Sequence, residues 1–295
     1  MDLVVGATGL VGQQIALGLS KKGRSVRAMA RGGRSHEKAK ALISAGVEIV
    51  DGDLTKPEIL PSACAGIDTI VCTATSMPHG SDDGLRRVDR EGILALIETG
   101  ERAGVRHFVY TSYSGNIRED SPLETAKRDC EKRLLSGRMH ATILRPSYFS
   151  EIWLSPALGF DPASGRVRIY GSGDAKISYI SPKDVAAFAV AAAGKPPDKS
   201  VVLEMGGPEP LSQLDAVRVF ERILGRKIDV DPVPVAALAE QHRSSDPLQK
   251  TFSALMLAYA KGDAIPGSVE TARSYGVHLH SVFDYAATLS KTATA

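Results

Sequence analysis

Short apolar runs alternate with helix-spaced apolar residues through the first half of the chain. The strand-like runs are LVVGA (3–7), SVRAMAR (25–31), VEIVDGD (47–53), DTIVCTA (68–74), HFVYTS (107–112) and HATILRP (140–146). Between them the apolar positions fall at helical spacing, as at Val11, Ile15 and Leu19, or at Val88, Ile93, Leu96 and Ile97. Repeated strand–helix units predict an α/β fold, a doubly wound parallel sheet with right-handed crossovers. In the turn after the third strand, Thr55 and Glu58 fit a capping box, with Pro57 in the first helical turn.

After Pro146 the rhythm changes. Residues 147–180 are rich in Gly, Ser, Pro and aromatics, and GFDPASGRVRIYGSGDAKISY predicts loops and a short hairpin. A helix is expected over SPKDVAAFAVAAAG, a last sheet strand over SVVLEMGG, and an amphipathic helix opened by Ser212 over LSQLDAVRVFERILG. The rest of the chain is helical by composition. The pattern divides the protein into a dinucleotide-binding domain, 1–146 with 181–207 returning to it, and a smaller α+β substrate-binding lobe, 147–180 with 208–295.

One helical stretch, SPLETAKRDCEKRLL (121–135), breaks the expected pattern. Leu123, Lys127, Cys130 and Leu134 share a stripe, and Arg128, Asp129, Glu131, Lys132 and Arg133 fill the rest. A lysine on an inward stripe costs several kcal/mol of desolvation unless polar groups meet it. It either lies along a cleft and donates to ligand hydroxyls, or snorkels out past its neighbours.

The candidate chemistry begins in VVGATGLVGQQIA. Gly6, Gly9 and Gly12 stand directly between a strand and a helix, in GxxGxxG spacing. Such glycines serve a tight turn, a close backbone approach to a pyrophosphate and close helix–strand packing, and the helix N-terminus favours the anion. Thr8, Leu10 and Val11 complete this loop. NAD-binding versions end the second strand in a carboxylate for the ribose 2′-hydroxyl. Here the strand ends in Arg31, with Arg34 and Ser35 beyond, which suits a 2′-phosphate and favours NADP(H). Asp53 and Leu54 are expected to flank the adenine, and Thr73, Ala74 and Thr75 to lie along the ribose path.

Composition narrows the partners. A net charge of +2 offers no concentrated basic face for nucleic acid. No apolar run is long enough to span a bilayer, and residues 1–30 lack the pattern of a signal peptide. Cys64, Cys72 and Cys130 have neither metal-ligand nor disulfide-framework spacing, which fits a reducing cytoplasm. The histidines, among them His79, His107, His140, His278 and His280, show no metal spacing, so no metal is expected.

Taken in order, GATGLVG, the AR after the second strand, GDL, AGVRHFVYTSYSG, AKRDCEKRLLSG, TILRPSYFSE, SYISPKDVA and MGGPEPLS resemble the NmrA-like and isoflavone-reductase-like atypical short-chain dehydrogenases. The match covers roughly residues 3–215. The resemblance implies a Rossmann cofactor lobe, a small substrate lobe, NADP(H), and a role for Lys127 on the nicotinamide ribose. The wider family places a proton-donating tyrosine four residues before this lysine. Here Leu123 stands there and has no proton to give.

Three substitutes remain open: Tyr113 beyond the fifth strand, Tyr148 after Pro146, and the hydroxyls of Thr111 and Ser112. Pro146, Tyr148 and Phe149 are also expected near the nicotinamide. Trp153 and Phe160 line an apolar substrate pocket or pack in the core, and the polar loop 76–84 either folds over the cofactor or is solvated. The expected function is NADP(H)-dependent hydride transfer to a small apolar or conjugated electrophile such as a quinone or enone. The alternative is a non-catalytic NADP(H)-sensing regulator or assembly scaffold with a protein partner. Either form fits a monomer or a homodimer.

Overall fold

The computed structural model describes residues 1–78 and 83–292, so part of the 76–84 loop, His79 included, lies outside the described residues. Along the chain run β1 (Asp2–Val5), α1 (Leu10–Lys21), β2 (Val26–Ala30), α2 (Ala39–Ser44), β3 (Glu48–Asp51), α3 (Leu60–Cys64), β4 (Thr69–Cys72), α4 (Ile93–Arg102), β5 (His107–Thr111), α5 (Pro122–Leu135) and β6 (His140–Pro146). There follow α6 (Ser150–Trp153), β7 (Phe160–Asp161), β8 (Arg166–Tyr170), β9 (Lys176–Ile177), α7 (Pro182–Gly194), β10 (Val201–Met205), β11 (Leu211–Ser212), α8 (Gln213–Leu224) and β12 (Asp229–Val233). The chain closes with α9 (Val235–Gln241), α10 (Pro247–Lys261), α11 (Ser268–Ser274) and α12 (Val282–Thr292). No described helix is long and apolar enough to cross a membrane.

The main sheet has the order β10-β6-β5-β4-β1-β2-β3, and every neighbouring pair from β3 through β6 is parallel. This is the doubly wound Rossmann arrangement, with the order reversing between β1 and β4. The central strands β1, β4 and β5 are buried along their whole length, which is why they read as continuous apolar runs and not as alternation.

The chain forms two compact units. The first comprises Met1–Ser112, Pro122–Leu144 and Val185–Leu203. Its core packs Leu3, Val5, Ile70, Leu96, Phe108 and Ile143 with their neighbours. The second comprises Tyr113–Ser121, Arg145–Asp184 and Glu204–Ala295. It holds the β7–β8 hairpin, with β12 parallel to β8, and an aromatic core around Tyr148, Phe160, Tyr179, Phe220 and Tyr259.

Local chemistry departs from expectation in three places. Thr55 does not cap a helix: its amide and hydroxyl both donate to Asp53 Oδ1 at 2.9 Å, an Asx turn that pre-empts the Thr55–Glu58 box. Pro57 does open the following 3₁₀ turn. Residues Leu85–Gly92, ahead of α4, wind as a π-helix and carry Asp89 inward, where Oδ2 accepts from Ser76 N (2.8 Å) and Ser76 Oγ (2.6 Å). On α5, Glu131 is buried and ion-paired to Arg128. Ser212 caps α8 as expected, in a full capping box with Asp215.

Candidate functional site

The glycine turn between β1 and α1 is shaped chiefly by close backbone contacts, with the Thr73 hydroxyl beside Gly12. Gly6 has φ +85°, the left-handed region open to glycine, and a Cβ there would lie 2.8 Å from Ala74 N. A Cβ on Gly12 would lie 2.1 Å from Gly6 O, so α1 packs against the turn only because residue 12 has no side chain. Gly9 is exposed at the start of α1, and no side chain caps that helix. Its first amides are therefore free for an anion, the arrangement that binds pyrophosphate. Thr8 is half-buried, Leu10 is 53% exposed at the rim, and Val11 turns into the core. Thr73 and Ala74 run beside Gly6, with Thr75 exposed just beyond.

At the end of β2, Arg31 and Arg34 are exposed. Asp53 lies within electrostatic reach of Arg31. Burial alone would raise the Asp53 carboxyl, but the two Thr55 bonds, with Arg31 and Lys56, hold it below the usual carboxylate value. Leu54 is 6% exposed and packs into the core of the first unit. Sequence reasoning also missed Asp51, whose Oδ1 accepts from Gly32 N at 2.9 Å and fastens the loop that carries Arg31 and Arg34.

Lys127 does not snorkel. It is 6% exposed, and its Nζ donates to Thr111 O at 3.0 Å while standing 5.0 Å from the centre of the Tyr110 ring. Leu123, Cys130 and Leu134 are buried with it. The hydroxyls of Thr111 and Ser112, at the C-terminal end of β5, are buried and bond to no other described residue. Cys72 and Cys130 lie within electrostatic reach of Lys127, yet burial pushes their thiols up to about 12 and about 11, so they stay protonated. A bare-backbone anion cradle, an ammonium and two orphaned hydroxyls on one unit fit a dinucleotide: the cradle suits the pyrophosphate, and Lys127 with Thr111 and Ser112 suits the ribose and what lies beyond it.

The remaining candidates belong to the second unit. Tyr113 is half-buried against its core. The Tyr148 phenol donates to Leu255 O at 3.0 Å, and burial raises it well above its ordinary value. Phe160 packs edge-on against Phe220 in the core, while Trp153 stacks on Tyr259 at 4.5 Å. Pro146 is buried and Phe149 half-buried. In the first unit His107 bonds Thr142, and in the second His280 pairs with Asp184 across 96 positions, a pairing no spacing rule reveals. Among the described residues no group of three acidic, histidine or cysteine side chains is placed to hold a metal.

Comparison with known proteins agrees with this geometry. The NAD(P)H-binding family profile matches residues 6–196. The photosystem II assembly factor Ycf39 of Trieres chinensis is 30% identical over 242 residues, covering 80% of this chain and 73% of that protein. An NAD(P)H azoreductase of Xenophilus azovorans is 29% identical over 230 residues, covering 77% of this chain and 75% of its own. Among solved structures, an NADPH-dependent quinone oxidoreductase from Escherichia coli complexed with NADPH superposes with a TM-score of 0.81 at 21% identity, over 98% of this chain and 99% of that one. The chain belongs to the NAD(P)H-binding family, its fold is the Rossmann fold shared with a solved isoflavone reductase, and its cofactor is NAD(P)H.

Proposed function

We propose that this protein is an NADP(H)-dependent reductase acting on a small apolar or conjugated electrophile such as a quinone, enone or azo compound. The observation that carries this reading is Lys127, an ammonium buried beside the end of β5 and met there by a single backbone carbonyl and a ring face. A buried charge so thinly matched is costly, and ribose hydroxyls offset that cost. Bound NADPH supplies the hydride. The amides that open α1 hold the diphosphate, Arg31 and Arg34 bind the 2′-phosphate, and Lys127 orients the nicotinamide ribose. Ser112 polarises the acceptor, and Tyr113, the next residue along the chain, delivers the proton. The azoreductase relative supports a conjugated acceptor.

The test is turnover of NADPH with a panel of quinones, enones and azo dyes, followed by cofactor absorbance, in the parent and in Lys127→Met. Losing a charge-assisted bond predicts roughly 10- to 100-fold weaker NADPH binding in the variant. Unchanged affinity would remove the ribose role.

A second reading rests on Leu123, which is 7% exposed and occupies the place of the wider family's tyrosine. Under it the protein is a non-catalytic NADP(H)-responsive assembly scaffold, as the name of the Ycf39 relative suggests. Tight NADPH binding with no oxidation across the whole panel is its expected signature.

A further inference from the structure

The loop that joins α11 to α12 brings two histidines together. The rings of His278 and His280 lie with their centres 5.2 Å apart and their planes at 78°. His280 is held from behind by Asp184, in the first turn of α7. Its amide donates to Asp184 Oδ2 at 2.8 Å, and its Nδ1 meets Oδ1 at 2.5 Å. Asp184 is 1% exposed, whereas the His280 side chain is 40% exposed. An ionised carboxylate only accepts, so Nδ1 carries the proton of this pair and Nε2 keeps a lone pair. Nε2 bonds to no described residue, and the exposed His278 ring likewise bonds to none.

Capping alone does not ask for this arrangement. The start of α12 is already closed by Ser281 and Asp284, which exchange bonds of 2.8 and 3.1 Å between side chains and amides. Burial raises the Asp184 carboxyl against the pull of His280, so the pair is kept at a desolvation cost. Asp284 lies within electrostatic reach of both rings, and Glu151 within reach of Asp184. These carboxylates favour a cation beside the two imidazoles. Histidines bound to a metal nearly always give their other ring N–H to a carboxylate, as His280 does here. Two imidazoles on one tetrahedral Zn²⁺, each at about 2.0–2.1 Å, have ring centres about 5 Å apart, which matches the observed spacing.

We propose that His278 and His280 chelate a transition-metal ion of the zinc or nickel class, with Asp184 as the positioning residue that fixes His280. Imidazole suits such ions, whereas Mg²⁺ and Ca²⁺ take oxygen ligands. Among the described residues no third histidine, cysteine or acidic side chain completes the site. Water fills the other positions, so the ion exchanges with solution and is not a resident cofactor. The site lies wholly in the second unit and does not depend on the reading of the reaction.

Zn²⁺ alone is titrated calorimetrically into the chelator-stripped protein and into His278→Ala, His280→Gln and Asp184→Asn. The parent binds one equivalent. Asp184→Asn keeps an acceptor for the His280 amide but loses the charge, and it weakens Zn²⁺ about 10- to 100-fold; loss of either ring weakens it at least as much. Glutamine at position 280 still donates to Asp184, so the loss there is not a loss of packing. Ni²⁺, which is paramagnetic, broadens the imidazole resonances of both histidines together in the parent. No saturable heat, or equal affinity in the parent and both histidine variants, overturns the site. Affinity that falls in the histidine variants but holds in Asp184→Asn overturns the positioning role of Asp184.

Discussion

Arg31 and Lys127 carry the same formal charge and do opposite things with it. Lys127 is enclosed by β5 and α5 and has little freedom to lose when a ligand arrives. Arg31 is exposed at the end of β2, balanced at a distance by Asp53. A solvent-screened attraction of that kind, without a direct contact, contributes little to stability. A doubly charged phosphate competes well for the guanidinium, because charge-assisted bonds to phosphate are among the stronger ones. Arg31→Ala should therefore leave the denaturation midpoint nearly unchanged and weaken NADPH roughly 10-fold or more, while NADH affinity holds. Equal losses for both nucleotides in a calorimetric titration would remove Arg31 from the 2′-phosphate. In the proposed reading Asp51 serves the same preference, since its bond to Gly32 N ties the arginine-bearing loop to the end of β3.

At the scale of elements, the turn from β1 into α1 separates packing from binding. Alanine at position 12 drives a methyl into Gly6 O, a backbone atom with nowhere to go. Gly12→Ala should destabilise the first unit by roughly 1–3 kcal/mol and abolish NADPH binding with it. Gly9 has φ −79° and ψ 172°, ordinary for any residue, and its Cβ would meet only Gly6 O at 3.2 Å. Gly9→Ala should fold nearly as well as the parent and still lose NADPH affinity, because the methyl stands where the diphosphate approaches. Thermal melts with and without NADPH distinguish the two.

This turn was legible in the sequence because its signal is local: three glycines between an apolar run and a helical stripe. The strands were legible too, though expected to run to Ala7 and Asp53 where they end at Val5 and Asp51, since the chain leaves the sheet while still apolar or sheet-like in composition. What stayed hidden depends on partners far along the chain. Asp89, Glu131 and Asp263 look like solvated acids until Ser76, Arg128 and Ser114 are brought to them. The Thr55 box failed because Asp53, two residues earlier, offers a nearer acceptor.

For the molecule as a whole, the parallel sheet sets a limit on acid stability. His107 begins β5 at 1% exposure; its Nε2 meets Thr142 Oγ1 at 3.0 Å, and its Nδ1 bonds to no described residue. Burial, helped by the charge of His140, lowers its pKa from 6.5 to about 4. The folded chain therefore keeps the ring neutral over a range in which the unfolded chain takes up a proton. Stability is whole above pH 6.5 and falls as the pH drops through that window, by up to about 3 kcal/mol at pH 4. Carboxylates such as Glu101, held low by its bond to Arg133 against the opposing effect of burial, lose their contribution only at lower pH, below the ordinary value of 4.5. The two losses separate along the pH axis. His107→Asn keeps a partner for Thr142 and removes the titration, so its unfolding midpoint in denaturant should be nearly flat between pH 6.5 and pH 4.5 where the parent declines. Because the chain forms two units that need not unfold together, the measurement belongs on the amides of β5 and β6, read by hydrogen exchange. A variant that declines as steeply as its parent would show that some other group, and not the buried imidazole, gives this sheet its weakness in acid.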